Sequence, residues 1–163
     1  MNRGTNGASA HEQLELAVAV SGFAEACGGR ALLALDVSAS VRREDLLRTI
    51  EAFSRGGFSE LPWAAFDRTV LAEGQDAEDL LEDRVRLPMG NGGTEILGVL
   101  TAHLDGIRSG RPETLVVVSD GFFESRPDEA AIQDIRRAGG RILHVVLEPC
   151  GLPMPDVDAW MRA

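Results

Sequence analysis

The stretch that decides the fold is Ala31-Leu-Leu-Ala-Leu-Asp-Val-Ser-Ala-Ser40. Five apolar residues, 31–35, end abruptly at Asp36, and hydroxyl side chains follow at Ser38 and Ser40. A short apolar run that ends in turn residues is typical of a strand buried on both faces, as in parallel sheets flanked by helices. Open α/β sheets bind ligands at the carboxyl ends of their strands, so we expect Asp36 at a ligand-binding edge.

The rest of the chain alternates between helical and extended patterns. Helices are expected over 11–26, 41–55, 73–83, from Thr94 onward and over 125–138 with Pro127 in the first turn, and a short closing helix over 156–162. Short apolar runs predict further strands over 61–66, 69–72, 114–118 and 141–147. The two residues between the second and third strands predict a hairpin, which makes the third strand an antiparallel edge. The alternation predicts an α/β fold with a doubly wound, mainly parallel sheet.

Length and charge limit the possible functions. At 163 residues and 17.5 kDa, the chain is long enough for one domain with a hydrophobic core. We therefore expect a flexible tail over 1–10 and a single domain over 11–163. The net charge of −10 argues against nucleic acid as a partner, because its phosphates need a basic surface. All 16 basic residues are arginines, which excludes any mechanism that uses a lysine.

The cysteines and the amino terminus bear on the cellular compartment. Cys27 and Cys150 lie far apart without metal-binding spacing, so we expect reduced thiols. The first ten residues lack the apolar core of a signal peptide, and polar residues interrupt the apolar segment 14–27. The sequence therefore predicts a cytoplasmic protein that does not engage a membrane.

The segment 88–94 is the most glycine-dense part of the predicted domain, and it ends in Thr94. Glycine lets a backbone approach a neighbouring group closely, here just ahead of a helix. A phosphate-binding loop is the alternative interpretation, but the required Gly-Lys-Ser/Thr ending is absent. After the apolar strand 114–118, Ser119-Asp120-Gly121 places a second carboxylate at a strand end.

Oxygen-bearing side chains thus follow three separate elements, with Asp36, Ser38 and Ser40 first, then Thr94, then Asp120. In a doubly wound sheet these positions fall on one edge. Each alone could be a helix cap or a turn residue. Together they form the all-oxygen set that hard divalent cations prefer, so we predict a metal site.

Asp-x-Ser-x-Ser at 36–40, Gly-Gly-Thr at 92–94 and Ser-Asp-Gly at 119–121 resemble the metal-ion-dependent adhesion site (MIDAS) of von Willebrand factor type A domains, and the match covers roughly residues 31–147. By this resemblance the metal ligands are Asp36, Ser38, Ser40, Thr94 and Asp120. The resemblance also implies the strand order 3-2-1-4-5-6. Within the superfamily the chain is more similar to intracellular bacterial type A-like domains than to integrin insertion domains, although Glu95 stands where such relatives often carry Asp.

The function implied by the resemblance is a metal-dependent protein-interaction module and not an enzyme. The cation would be Mg²⁺, with Mn²⁺ or Ca²⁺ as alternatives, and a Glu or Asp of a partner protein would complete its coordination. Many intracellular bacterial relatives work with MoxR-type AAA+ ATPases. An AAA+ ATPase complex is therefore the expected partner.

Two other functions stay open on the sequence alone. Asp36 resembles the nucleophilic aspartate of a phosphohydrolase, although the acid usually found two residues later is replaced by Ser38. In a metal-free scaffold, the serines would only cap the following helix.

Other residues have both a structural and a functional interpretation. Core or surface roles are expected for His103 and His144, which share no spacing with the acids. Asp67 is expected to serve a turn, and Glu124 either rims the site or precedes a helix. Core positions are expected for Trp63, Phe66 and Trp160, whereas Phe122-Phe123 follows Asp120 and is expected to contact a partner.

Overall fold

The computed structural model describes residues 10–90, 92–147 and 151–163, with the backbone alone for 10–15. Helices and strands alternate along these ranges. The helices are α1 (Ala10–Ala26), α2 (Arg43–Arg55), α3 (Glu78–Leu81), α4 (Leu97–Arg108) and α5 (Glu129–Arg137). The strands are β1 (Leu32–Asp36), β2 (Trp63–Phe66), β3 (Val70–Gly74), β4 (Thr114–Ser119), β5 (Arg141–Val146) and β6 (Ala159–Arg162).

The six strands form one sheet in the order β3-β2-β1-β4-β5-β6. All neighbouring strands are parallel except β2 and β3, which are antiparallel. Only residues 67–69 separate β2 from β3, and a parallel connection would need a much longer crossover. The predicted doubly wound, mainly parallel sheet with one antiparallel edge strand is confirmed.

Helices cover both faces of the sheet, which is why the central strands are continuously apolar. Leu33 and Leu35 of β1 pack with α1 and α2 in one core cluster. Ala34, between them, packs with α4 and α5 in a second cluster on the other face. Because successive side chains of a strand point to opposite faces, a strand between two helical layers must be apolar at every position.

The helices begin and end where their local chemistry favours it. In α2, Leu46, Ile50 and Phe53 are buried along one face, and the helix stops at Gly56. In α5 the Asp128 side chain is the N-cap and accepts a hydrogen bond from the Ala130 amide at 2.8 Å. Pro127 therefore precedes the cap, and its predicted place in the first turn is wrong.

The predicted closing helix over 156–162 is also wrong, because this segment forms β6. The Ile142 amide donates to the Asp158 carboxylate at 2.8 Å, and the Asp158 amide donates to the Ile142 carbonyl at 2.9 Å. This pairing satisfies the open edge of β5, which a one- or two-turn helix of marginal stability could not do. Trp160 consequently lies on an edge strand and is 51% exposed, so its predicted core position is wrong.

The predicted helix over 73–83 is shorter than expected. Gly74 instead ends β3, opposite Trp63 of β2, and the helix is reduced to the four residues of α3. A Cβ at position 74 would overlap the Trp63 indole, so a glycine here leaves room for the tryptophan side chain. The acidic side chains of this stretch are mostly exposed, and one of them, Asp79, pairs with Arg84 at 3.2 Å.

Three further sequence-based expectations concern the amino-terminal tail, the cysteines and membrane-spanning segments. Residues 1–9 and Cys150 lie outside the described residues. Cys27 is a half-buried free thiol that donates to the Ala24 carbonyl at 3.5 Å. Among the helices that the structure describes, none combines the length and the apolar character needed to cross a membrane.

Two buried histidines are held as neutral side chains. His103 Nε2 lies 3.1 Å from the Glu113 carbonyl, to which it donates. His144 Nδ1 accepts from the Met154 amide at 2.8 Å, so the ring proton is on Nε2, which lies 3.0 Å from Ser119 Oγ. Burial lowers the pKa of both imidazoles from 6.5 to about 4.

We expect His103 and His144 to lower the free energy of unfolding as the pH drops from about 7 to about 4. In the unfolded chain each histidine takes up a proton near pH 6.5, whereas in the folded protein it stays neutral until about 4. The unfolded state therefore binds more protons in this window, which destabilises the fold by up to roughly 3 kcal/mol per histidine. His103→Gln keeps a donor for the Glu113 carbonyl and should flatten the pH dependence. Urea unfolding across the window tests this, and equal pH slopes in variant and wild type would contradict it.

Candidate metal centre

The chain turns at the end of β1 and brings together polar residues at three alternate positions, 36, 38 and 40. Asp36 is the last residue of β1 and is wholly buried. Its Oδ1 accepts a hydrogen bond from the Ser38 amide at 2.9 Å, a local turn that folds the chain back over the strand end. The Ser38 and Ser40 hydroxyls then lie 3.4 Å apart.

The two distant candidates join this turn. Thr94 Oγ1 donates to Asp36 Oδ1 at 3.4 Å, across 58 positions of sequence. Ser40 Oγ donates to Asp120 Oδ2 at 2.6 Å, across 80 positions. The structure therefore brings all five predicted residues into one continuous chain of contacts, which runs Thr94, Asp36, Ser38, Ser40, Asp120.

The topology of the sheet accounts for this convergence. β1 and β4 are parallel neighbours, with Leu35 opposite Val118. Asp36 and Asp120 therefore leave the sheet at the same edge, one or two residues beyond the last pair. β1 is also where the strand order reverses direction, because its next strand in sequence lies on one side and β4 lies on the other. Such switch points leave a crevice at the carboxyl ends of the strands.

The glycine-rich loop lies against the residues that follow β1. The Gly90 amide donates to the Val37 carbonyl at 2.7 Å, and the Ala39 amide donates to the Gly92 carbonyl at 3.2 Å. A Cβ at Gly90 would come within 2.7 Å of the Asp67 carboxylate and 3.1 Å of the Val37 carbonyl, so a larger residue there would make its neighbours shift. The glycine-rich loop therefore makes its close approach to the protein's own backbone, at Val37 and Ala39. This approach brings the loop that ends in Thr94 alongside Ser38.

The Asp36 carboxylate is destabilised as an anion. Its pKa is raised from 3.8 to about 6, chiefly by burial and to a smaller extent by the nearby Asp120, although hydrogen bonds from Ser38 and Thr94 partly offset the rise. Its second oxygen, Oδ2, is buried and has no hydrogen-bond partner among the described residues. Burying a carboxylate oxygen without a hydrogen-bond partner costs free energy. A bound cation would supply the partner that this atom lacks.

The residues present fit a hard cation. Two carboxylates and three hydroxyls make an oxygen-only donor set, which suits Mg²⁺, Mn²⁺ or Ca²⁺. Within the described residues, no three His, Cys, Asp or Glu side chains cluster as a metal site. The nitrogen and sulfur ligands that zinc prefers are therefore not gathered in that part of the chain.

Four exposed apolar side chains are linked to the site residues, three by proximity in sequence and one by a main-chain hydrogen bond, and we name them the apolar collar. Met89 precedes Gly90, Leu97 begins α4, Phe122 follows Asp120 by two residues, and the Leu152 amide donates to the Asp120 carbonyl at 2.8 Å. All four are between 40% and 54% exposed. Of the pair expected to contact a partner, Phe122 is exposed, whereas Phe123 packs against the second core cluster.

Sequence reasoning missed one residue beside the site. Arg68 forms a forked ion pair with Glu124, in which Nη2 lies 2.6 Å from Oε1 and Nε lies 3.0 Å from Oε2. The two residues are 56 positions apart, and no local pattern links them. Asp67 has the predicted turn role, because its Oδ1 accepts from the amides of Arg68 and Thr69.

We expect Asp36→Asn to stabilise the metal-free protein near pH 8. Because the folded pKa of Asp36 is raised, its contribution to stability is present below about pH 3.8 and is lost as the pH rises through about 6. Removing the charge should recover roughly 1–3 kcal/mol of unfolding free energy. Urea unfolding in a chelator measures this difference, which should vanish near pH 4. An equal change at both pH values would show that ionisation of Asp36 is not the cause.

Comparison with known proteins gives a structural relative. No protein-family model and no curated protein matches the chain. Its structure is similar to the crystal structure of an aerotolerance-related membrane protein from Bacteroides fragilis NCTC 9343 with multiple mutations to serines. The sequence identity is 20%, the TM-score is 0.60, and the alignment covers 77% of this chain and 71% of that chain. At this identity the likeness concerns the fold alone, which is the doubly wound, mainly parallel α/β fold described above.

Proposed function

We propose that this protein is an interaction module that holds a divalent cation, Mg²⁺ first, at its MIDAS-like site and binds an acidic residue of a partner protein through it. The observation that carries the proposal is the buried, unpartnered Asp36 Oδ2 inside a cluster of five oxygen-bearing side chains. Such a cluster gathers negative charge and hydroxyl dipoles at one point and leaves one carboxylate oxygen unsatisfied.

The five residues would provide two kinds of ligand for the cation. Asp36 and Asp120 bring the negative charge, while Ser38, Ser40 and Thr94 bring neutral oxygens. Neutral donors do not cancel the charge of a divalent ion, so a bound cation supplies a Lewis-acidic position that a further carboxylate can fill. The chain as a whole carries −10, and an acidic group approaching it is repelled unless that local charge is reversed.

The apolar collar supports a protein as the partner. A single charged contact in water contributes little, whereas apolar side chains around it exclude water and add buried area. The collar presents such area, on Met89, Leu97 and Phe122 of the segments that carry the site and on Leu152, which bonds to Asp120. By the resemblance to intracellular bacterial type A-like domains, we propose a complex with an AAA+ ATPase as the setting in which this contact is made.

No specific observation favours the two alternatives. The scaffold alternative needs the serines to cap α2, but the N-cap position is Arg42 and no side chain caps the helix. The phosphohydrolase alternative needs Asp36 to reach a substrate, but Asp36 is wholly buried and its Oδ1 is engaged by Ser38 and Thr94. We expect no phosphatase turnover from the wild type, and turnover that Asp36→Asn abolishes would reverse this assignment.

Calorimetric titration with Mg²⁺ tests the site. We expect one site per chain in the wild type and an affinity at least about tenfold lower in Asp120→Asn and Ser38→Ala. Asp105→Asn is the matched control, because it removes the same charge from an exposed ion pair on α4. Equal binding by Asp120→Asn and Asp105→Asn would mean that the cation binds elsewhere.

Affinity capture with Mg²⁺ or with a chelator tests the partner contact. We expect a bound protein to be released by the chelator, absent with Asp120→Asn and reduced with Phe122→Ala. Leu71→Ala is the matched control, since Leu71 is an apolar residue that is 43% exposed but lies on the edge strand β3, outside the apolar collar. A partner that stays bound without metal, or that is lost equally with Leu71→Ala, would contradict a contact through the cation and the collar.

A further inference from the structure

Three loops meet at the carboxyl edge of the sheet: the β2–β3 turn, the glycine-rich loop that ends in Thr94, and the segment after β4. The glycine-rich loop is bonded to both of the others. The Glu95 amide donates to the Asp67 carbonyl at 2.9 Å, which ties the glycine-rich loop to the β2–β3 turn. The Glu124 amide donates to the Thr94 carbonyl at 2.8 Å, which ties the same loop to the segment after β4. The Ser125 amide adds a bond to the Glu95 carboxylate at 2.7 Å. Thr94 is therefore held from both sides through main-chain groups.

The ion pair between Arg68 and Glu124 joins these two flanking loops to each other. The guanidinium donates to both carboxylate oxygens of Glu124, at 2.6 Å from Nη2 and at 3.0 and 3.1 Å from Nε. This fork geometry fixes direction as well as distance, which a single contact would not do. With it, the β2–β3 turn, the glycine-rich loop and the segment after β4 form a closed ring of links.

Glu124 also lies directly on the loop that carries Thr94. A Cβ at Gly93 would overlap the Glu124 carboxylate, so the acid packs against the backbone of the residue before Thr94. The described residues of this loop, 88–90 and 92–96, belong to no helix or strand. The position of the Thr94 hydroxyl therefore depends on the contacts that flank it rather than on a helical or extended ladder.

We propose that Arg68 and Glu124 are positioning residues for the candidate metal centre. Their ion pair, the Arg68–Glu124 clasp, fixes the glycine-rich loop so that the Thr94 hydroxyl is presented beside Asp36. This inference rests on the proposed function, because it assigns a role to the clasp in cation binding.

The sign of the effect separates positioning from plain electrostatics. Arg68 is a positive charge near the site, so by Coulomb's law its removal should strengthen the binding of a cation. If the clasp positions Thr94, its removal weakens cation binding in spite of that gain. Outer groups that orient metal ligands typically change metal affinity by about 10- to 100-fold.

The test is Mg²⁺ calorimetry on Arg68→Ala, Glu124→Gln, Thr94→Ala and the double variant Arg68→Ala/Thr94→Ala. We expect about tenfold weaker binding in each of the first two, and partial recovery with Arg68→Lys, which restores the charge but not the fork. In the Thr94→Ala background, Arg68→Ala should cause no further loss, because the two residues act through the same oxygen. Arg108→Ala is the matched control, since it removes an exposed arginine from a surface pair at the end of α4.

A second measurement does not depend on the metal. In a chelator, Arg68→Ala should speed hydrogen exchange at the Glu95 and Glu124 amides, which bond to the neighbouring loops, while the core amides of β1 and β4 stay protected. Mg²⁺ binding that is unchanged or tighter in Arg68→Ala, with unaltered exchange, overturns the clasp. If the wild type binds no Mg²⁺, the proposed function fails, and the exchange of these two amides alone decides whether the clasp holds the loop.

Discussion

The parallel pairing of β1 with β4 is the constraint on which the rest of the structure depends. It places residues 80 positions apart at one edge of the sheet, and it does so through main-chain hydrogen bonds that are insensitive to the side chains beyond the strand ends. The two strands can be neighbours only because both are apolar on both faces and are covered by helices on each side. The polar cluster is therefore built at the end of strands that lie in the most deeply buried part of the molecule.

Much of the fold follows from the sequence because the informative segments are long or sharply patterned. The double-sided burial of 31–35, the hairpin at Asp67 and Arg68, and the glycine-rich loop are each local signals with one dominant physical reading. The last strand is different: Ala159–Arg162 is stabilised by pairing with β5, and nothing local distinguishes it from a short helix. The exposure of Trp160 follows from the same pairing, because β6 is the last strand of the sheet and most of its residues are exposed.

The residues of the candidate site could be predicted from the sequence, but the residues that surround them could not. Asp36, Thr94 and Asp120 could be found because each follows a recognisable element, and parallel strands bring such positions together. The forked pair between Arg68 and Glu124 could not be found, because it depends on how two loops are folded against a third. The Leu152 contact with Asp120 had no signal either, since it lies in a stretch whose glycine and prolines indicate only an irregular path.

The start of α2 at Arg43 has a consequence for how this edge of the sheet can vary. Most strand-to-helix turns commit their serines to the first turn of the helix, so that changing the turn weakens the helix. Here α2 relies on Glu44, Asp45 and its buried face, and the hydroxyls at 38 and 40 are not part of that arrangement. The hydroxyls that would contact the proposed cation therefore do not serve as caps of the helix behind them. Single substitutions at positions 38 and 40 would change the oxygens at this edge of the sheet without removing a helix cap.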